Sequence, residues 1–208
     1  MARTSDEVKD LLRHVGSGLF AGSGYAGTST RAVAAAAGVS ETLLFKHFGS
    51  KAGLFEATTL ANFQGSVDRF VSQWSSQPST GDEDAHARAF LRSLLWFFRD
   101  HRGSILALVT VDGAQDDDIG DIQAMAIESF EKVMTVVQRV VLTRANGELY
   151  NGVDAEVTAP AVVGTLLSVT VLDGWLFHEG VCQPAFADLD HEVISYIMDG
   201  AGHRIATS

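Results

Sequence analysis

Apolar residues recur at helical spacing along almost the whole chain, and this periodicity constrains the fold more than any other feature of the sequence. Near the start, for example, Val8, Leu12, Val15 and Leu19 fall on one face of a helix. No convincing run alternates apolar and polar residues as a half-buried strand would, and the chain contains only three Pro. The sequence therefore predicts an all-α protein of about nine helices, with three short helices at the front and mostly longer ones behind.

Hydroxyl residues at the expected helix starts define the helix boundaries. The pattern Thr4-x-x-Glu7 is a capping box, which predicts that the first helix begins at Thr4 and ends in the turn at residues 22–24. Either Thr28 or Ser29 is expected to cap the second helix. The later helices, the first three of them capped by Ser40, Ser50 and Thr80, are predicted over residues 40–47, 51–75, 80–101, 104–111, 122–144, 154–178 and 187–205.

The composition excludes several classes of protein. Hydrophobic residues make up 46% of the chain and charged residues 20%, so a disordered protein is excluded and the apolar excess suggests a dimer. The single cysteine, Cys182, excludes an intramolecular disulfide and a Cys-rich zinc finger and suits a reducing cytoplasm. The most apolar stretch, residues 159–172, is shorter than the roughly 20 residues of a membrane-spanning helix, and the N-terminus lacks a signal peptide's apolar core. We therefore expect a cytoplasmic protein with no membrane segment.

The charge is distributed unevenly along the chain. Its formal net charge is −11, which argues against indiscriminate binding to nucleic acid, because phosphate attraction dominates such binding. Residues 1–52 nevertheless hold six basic and four acidic residues, so they carry +2 and the remainder carries −13. The first 52 residues are thus mildly basic and the rest of the chain is acidic, and the sequence motifs must show whether this difference has a function.

Residues 30–48 (TRAVAAAAGVSETLLFKHF) have the pattern of two helices joined by a tight turn. Ala34 is small enough to let the second helix approach closely, and Gly38 can take the left-handed conformation that a helix exit needs. Val33, Val39 and Leu44 are expected to point inward and hold the two helices at their crossing angle. This pattern is typical of the helix-turn-helix unit, whose second helix lies in the DNA major groove. An ordinary corner between two helices has the same spacing, so spacing alone leaves both interpretations open.

The residues around this unit resemble a known family. Gly24-Tyr25-x-x-Thr28-Ser29, then residues 36–40 (AAGVS), then residues 44–51 (LFKHFGSK) are together similar to the N-terminal region of TetR-family transcriptional regulators. The resemblance covers about the first 56 residues; behind them only the helical layout and the segment at 172–175 (LDGW) are similar. It implies a homodimer that binds double-stranded operator DNA and releases it when a small, largely apolar effector enters the body. The implied domains are a DNA-binding domain at 1–52 and a ligand-binding and dimerisation domain at 53–208.

The resemblance also implies which residues contact DNA. Thr28, at a helix start, would contact a phosphate, as would Lys51 together with His47, and Arg31 is a further backbone candidate. Base reading would belong to the exposed start of the third helix, at Ser40, Glu41, Thr42, Leu43 and Lys46. Among these, Thr42 and Leu43 can contact a thymine methyl group, Glu41 can accept from cytosine N4, and Lys46 can take either a guanine or a phosphate.

Two positions depart from the family pattern. Phe45 stands where the family usually has Tyr, so a hydroxyl contact to phosphate is lost, although the ring can still pack against the sugar-phosphate backbone. Glu41 stands where a basic residue is common; its charge would repel phosphates and could favour some sequences by penalising others.

The bulky residues behind the front helices fill a core or line a cavity. Each of them alone is better explained as core, but as a group they can enclose an apolar effector. The expected pocket consists of Phe63, Phe70, Trp74, Trp96, Phe97, Met125, Phe130, Met134 and Trp175. The last two long helices are expected to form the dimer surface, at Val163, Leu166, Leu167, Thr170, Val193, Ile194, Ile197 and Met198.

Two other classes of protein stay open as alternatives, a helical-bundle enzyme and a protein-interaction dimer that does not bind DNA. The sequence contains no phosphate loop, nucleophile elbow or metalloprotease motif, so we expect no enzyme and no cofactor. The acidic run at 116–121 is better explained as a solvated loop and helix cap than as a cation site. The pairs Asp188/His191 and Asp199/His203 each share a helical face, but they are more typical of surface residues than of a metal site.

Overall fold

The computed structural model describes residues 4–76, 81–109, 117–145, 154–177 and 185–202, and all regular secondary structure in these ranges is helical. The front helices are α1 (Ser5–Gly27), α2 (Thr30–Ala37), α3 (Glu41–Phe48) and α4 (Lys51–Phe55). A π-helical turn (Glu56–Leu60) then leads into α5 (Ala61–Ser75). The remaining helices are α6 (Glu83–Asp100), α7 (Arg102–Val109), α8 (Asp117–Ala145), α9 (Ala155–Val171), α10 (Asp173–Leu176) and α11 (Phe186–Gly202).

These elements confirm the predicted all-α class. When α4, the π-turn and α5 are taken as one continuous stretch, and α9 with α10 as another, the described residues contain the nine stretches that the sequence predicts. The π-turn is a departure from the expected single helix over 51–75. Within it the Thr58 hydroxyl donates to the carbonyl oxygens of Leu54 (2.7 Å) and Phe55 (3.2 Å), which widens the turn.

Most of the predicted helix caps are present. Thr4 Oγ1 accepts from the Glu7 N–H, and the Glu7 carboxylate accepts from the Thr4 N–H at 2.7 Å, so the capping box is complete. The backbone leaves the helical region at Gly24 (φ 69°), within the predicted turn region, but one more helical turn follows before the chain leaves α1. At α6 the cap contact comes from Asp82, whose carboxylate accepts from the Ala85 N–H at 2.9 Å, whereas the expected cap Thr80 lies outside the described residues.

The described helices group into two compact units, residues 1–68 with 101–130 and residues 69–100 with 131–208. In the first unit α1 packs against α2, α4, the π-turn and α7. Its core is aromatic at the centre, where Phe20, Tyr25 and Phe55 are in ring contact at centroid distances of 4.9–6.0 Å. A functional boundary at residue 52 stays a prediction, since compactness divides the chain elsewhere.

In the second unit α6 packs against both α9 and α11. A salt bridge between Arg92 and the largely buried Asp190 joins α6 to α11 at 3.1 Å. A second aromatic cluster forms around Phe70, Trp74, Phe90 and Phe97, with ring centroids 5.0–6.5 Å apart. The indole N–H of Trp74 is buried there and has no hydrogen-bond acceptor within the described part of the chain.

The residues of the expected effector pocket come from both units. Phe63 and Phe130 are in ring contact in the first unit, whereas Phe70, Trp74 and Phe97 belong to the second. Met125 and Met134 are half-buried, one in each unit.

Two tryptophans are corrections to the pocket. Trp175 is 85% exposed, and Trp96 is 43% exposed. Trp96 directly precedes the buried Phe97 and Phe98; the three side chains point in different directions from α6, and Trp96 is the one that faces solvent.

The expected dimer surface lies only partly on the outside of the single chain. Five of its residues are already buried within the single chain, namely Val163, Leu166, Thr170, Ile194 and Met198. Because α9 carries apolar residues on all sides, its sequence does not reveal which face packs inward. The remaining members, Leu167, Val193 and Ile197, are half-exposed.

Neither a membrane span nor a metal cluster is found in the described residues. None of the helices there combines the length and apolar character needed to cross a membrane. No three His, Cys, Asp or Glu side chains in those ranges are grouped to hold a metal ion. Asp116, Cys182 and His203, which the sequence analysis considered, lie outside the described residues.

Candidate nucleic-acid interface

The turn between α2 and α3 has the geometry that the sequence predicts. Ser29 caps α2 by accepting from the Ala32 N–H at 3.1 Å, and Ser40 caps α3 by accepting from the Leu43 N–H at 3.2 Å. Between them Gly38 adopts the left-handed conformation (φ 66°, ψ 36°), which only glycine takes at no steric cost. The turn therefore holds the two helices at a fixed angle.

Buried small and aliphatic residues hold α3 against the rest of the unit. Val33 and Leu44 are fully buried, and Ala34 is 2% exposed. On the opposite face of α3, Thr42, Phe45 and Lys46 are exposed, and Leu43 and His47 are half-buried. Helix α3 thus presents a polar and aromatic face to solvent, and Phe45 on that face is 42% exposed.

Gly53 sets the distance between α3 and α4. A Cβ atom at this position would overlap the carbonyl oxygen of Phe48, the last residue of α3. The backbone of α4 therefore approaches the end of α3 closely at Gly53. At the same point Ser50 caps α4 by accepting from the Gly53 N–H at 3.0 Å. This contact places the start of α4, and with it Lys51, directly beside the end of the outward-facing helix.

Lys51 lies on an aromatic support. Its Nζ atom is 4.3 Å from the centroid of the Tyr25 ring, a cation–π distance. Tyr25 is itself 7% exposed and packs against Phe20 and Phe55. The ammonium group is thereby positioned by the core of the unit rather than by its own flexible stem.

Thr28 is a correction to the predicted contacts. Its side chain is 4% exposed, and its hydroxyl donates inward to the carbonyl oxygens of Gly24 (2.8 Å) and Leu19 (3.1 Å). Its backbone N–H donates to the Tyr25 carbonyl, and the helix cap is Ser29. Thr28 therefore closes the turn after α1, and it has no donor to offer a phosphate.

Glu41 has a partner that the sequence analysis missed. Thr30, the first residue of α2, donates its hydroxyl to Glu41 Oε1 at 2.5 Å. The two residues are eleven positions apart and lie in different helices, so no local pattern could have revealed the contact. Of the other predicted residues, Arg31 is exposed on α2, and Ser40 is both exposed and engaged as the α3 cap.

The second unit contains a separate small cavity of about 190 Å³. It is lined by Arg99, Val169, Thr170, Asp173, Phe177, Phe186 and Leu189. The Arg99 guanidinium stacks on the Phe186 ring at 3.7 Å from the centroid and lies 5.2 Å from the Trp96 ring. Thr170 was expected in the dimer surface and Trp96 in the effector pocket, and the sequence did not predict that Thr170 and Arg99 line one cavity with Trp96 beside Arg99.

Comparison with known proteins finds a family match within the first unit. Residues 12–58 match the family model described as "Bacterial regulatory proteins, tetR family". These residues are therefore similar to a tetR-family regulatory domain. This match covers α2, α3 and α4 completely, so the outward face of α3 lies within the matched residues. No protein of curated function matches the sequence.

Solved structures share the fold of the whole chain at low sequence identity. A putative TetR-family transcriptional regulator from Mesorhizobium loti is 18% identical, with a TM-score of 0.65 over 96% of this chain and 97% of that one. The transcriptional regulator FadR from Bacillus subtilis, solved in complex with stearoyl-CoA, is 11% identical, with a TM-score of 0.67 over 92% and 98%. AibR in complex with isovaleryl coenzyme A and operator DNA is 17% identical, with a TM-score of 0.65 over 90% and 96%. The tetR-family domain and the helical body therefore occur together in one known fold.

Proposed function

We propose that this chain is a homodimeric transcriptional repressor that binds operator DNA and is released by a small, largely apolar effector. The observation that carries the proposal is the outward face of α3, where Thr42, Phe45 and Lys46 are exposed beside a Lys51 fixed on Tyr25. Such a face fits a major groove, with the polar side chains at base edges and the two lysines near phosphates.

The overall charge favours selective over indiscriminate binding. A chain of net charge −11 is repelled by DNA except where the basic residues of its DNA-binding domain approach phosphates. Two domains that are spaced to reach successive major grooves, about 34–36 Å apart or a multiple of that distance, double the number of such contacts. A homodimer on a palindromic operator meets both conditions.

The dimer surface that we propose is the solvent-exposed apolar side of the last helices. Trp175 (85% exposed), Tyr196 (73%) and Val157 (63%) leave large apolar areas open to water on the last three helices. Leu167, Val193 and Ile197 on α9 and α11 are half-exposed as well. Exposed aromatic residues at this density are typical of protein interfaces.

The effector that we propose combines an apolar part with a hydrogen-bond acceptor. The cluster of Phe70, Trp74, Phe90 and Phe97 offers an apolar wall, and the buried Trp74 N–H is a donor without a partner in the described residues, which is unfavourable until an acceptor reaches it. Because FadR and AibR were solved with acyl-CoA ligands, acyl-CoAs are the first effectors to test. An effector acts only if it binds the DNA-free arrangement more tightly than the DNA-bound one.

The deciding experiment is operator selection from random DNA, followed by fluorescence anisotropy at several salt concentrations. We expect affinity for the selected sequence at least about 10³ times that for random DNA, falling steeply with salt. Lys46→Ala should weaken binding, whereas the matched control Lys132→Ala, in the second unit, should not. Binding without sequence preference or salt dependence would contradict DNA recognition and favour a protein-interaction dimer.

A thermal-shift screen tests the effector separately. Short-chain and long-chain acyl-CoAs are compared with free coenzyme A, and each hit is added to the protein–operator complex. We expect an active acyl-CoA both to raise the melting temperature and to dissociate the complex. Stabilisation by free coenzyme A alone, or stabilisation without loss of DNA binding, would contradict the proposed effector.

A further inference from the structure

Thr30 and Glu41 connect the first residues of the two helices of the helix-turn-helix. The Thr30 hydroxyl donates to Glu41 Oε1 at 2.5 Å, the short distance typical of a hydrogen bond to a charged carboxylate. Both side chains are half-buried, so water competes for this bond less than it would on an open surface. The contact fixes a carboxylate at the N-terminal end of α3.

The bond uses only part of the accepting capacity of Glu41. An ionised carboxylate has two oxygens with about four lone-pair sites, and Thr30 occupies one of them. Within the described ranges, no Lys, Arg or His forms an ion pair with Glu41. The carboxylate is therefore positioned by a neutral donor and keeps both its negative charge and an oxygen that can accept a further hydrogen bond.

We infer that Thr30 is a positioning residue that fixes Glu41 as a base-selecting acceptor in the major groove. The inference rests on the proposed function, and it names how one position of the operator is read. In the major groove the amino groups of cytosine (N4) and adenine (N6) are donors, whereas guanine N7 and O6 and thymine O4 are acceptors that repel a carboxylate. Cytosine should be preferred over adenine, because the adenine amino group lies next to the acceptor N7.

The hydrogen bond between Thr30 and Glu41 matters because selectivity depends on rejecting the wrong base. A freely rotating Glu41 would swing away from an acceptor and avoid the repulsion, so the wrong sequence would be penalised only weakly. A carboxylate held by Thr30 retains that repulsion, and the penalty persists. Thr30 acts in this way through Glu41 and need not touch DNA itself.

The test measures binding of the selected operator with each of the four bases at the position that Glu41 reads. Wild type should favour cytosine over guanine or thymine by about fivefold or more. Thr30→Val, which keeps the shape of the side chain but removes the hydroxyl, should reduce this ratio to about twofold. Thr30→Ser, which keeps the hydroxyl, should retain the wild-type ratio. Glu41→Ala should abolish the preference, and Glu41→Gln should shift it toward adenine, which a glutamine amide can bind in bidentate fashion.

Thermal melts and far-UV circular dichroism on all four variants separate specificity from folding. If Thr30→Val is unfolded, Thr30→Ala removes the same hydroxyl and takes its place, and the two Glu41 variants test the base preference. A folded Thr30→Val with the wild-type base ratio, or a Glu41→Ala variant that keeps the cytosine preference, would overturn the inference. A wild-type protein that shows no sequence preference for any DNA would instead refute the proposed function itself.

Discussion

Replacing Gly53 by Ala should destabilise the protein, even though the same replacement stabilises most helices. Gly53 lies inside α4, where Ala is normally favoured over Gly by about 1 kcal/mol. Here the added Cβ would overlap the Phe48 carbonyl oxygen, which belongs to the backbone and cannot rotate away. The end of α3 must therefore move, at a cost of about 3 kcal/mol, the upper end of the range for overpacking. The net result is a loss of about 2 kcal/mol in the free energy of unfolding.

The matched control is Gly18→Ala. Gly18 lies in α1, is exposed, and has no heavy atom within 4 Å of a Cβ added there. Only the helix preference acts at that position, so this variant should be more stable than wild type by up to about 1 kcal/mol. For a chain of this length, the Gly53→Ala melting temperature should be about 4–8 °C below wild type, and that of Gly18→Ala slightly above it.

Scanning calorimetry or fluorescence-monitored melting measures both shifts, and operator binding measured well below the melting temperature shows the effect on recognition. Because Gly53 sets the distance between α3 and Lys51, Gly53→Ala should also weaken operator binding, whereas Gly18→Ala should leave it unchanged. A Gly53→Ala variant as stable as Gly18→Ala would refute the reasoning, because it would mean that α3 and α4 separate without cost.

Three other predictions concern recognition and assembly. Lys51→Ala should weaken binding to specific and random DNA by the same factor. It should also lower the slope of log affinity against log salt concentration by about one, which titrations in increasing salt measure. A loss of affinity confined to one sequence would argue against a phosphate contact. Thr42→Ala should instead change which operator is selected from random DNA, and an unchanged consensus would contradict base reading by this residue. Joint replacement of Trp175 and Tyr196 by Ala should favour the monomer in sedimentation velocity without lowering the melting temperature of that monomer. Leu166→Ala, at a buried position, should instead lower the melting temperature by several degrees. An intact dimer in the double variant would place the interface elsewhere.

Local chemistry explains why much of the first unit could be predicted from the sequence. A cap needs a hydroxyl or carboxylate within three residues of a free N–H, so Thr4, Ser40 and Ser50 could be placed from spacing alone. The left-handed turn needs a residue without a Cβ, so Gly38 was equally predictable. The outward face of α3 followed from the inward position of Leu44 by helical periodicity.

The choice between equivalent local candidates was made by tertiary packing. Thr28 and Ser29 are both good caps, and Ser29 holds the role because the core of the unit buries Thr28 and turns its hydroxyl toward Gly24 and Leu19. In the same way, α9 is apolar all round, and packing against α6 decided that Leu166 is buried, so the opposite side is left to the solvent.

The sequence by itself determined the helical class, most of the caps, the turn and the similarity to the tetR-family domain, because each depends on patterns read along a continuous stretch of chain. The tertiary structure decided which of two caps is used, which face of a helix is buried, and that Thr30 holds Glu41. Those outcomes depend on atoms brought together from different helices, and the distances between such atoms are set by packing rather than by spacing along the chain.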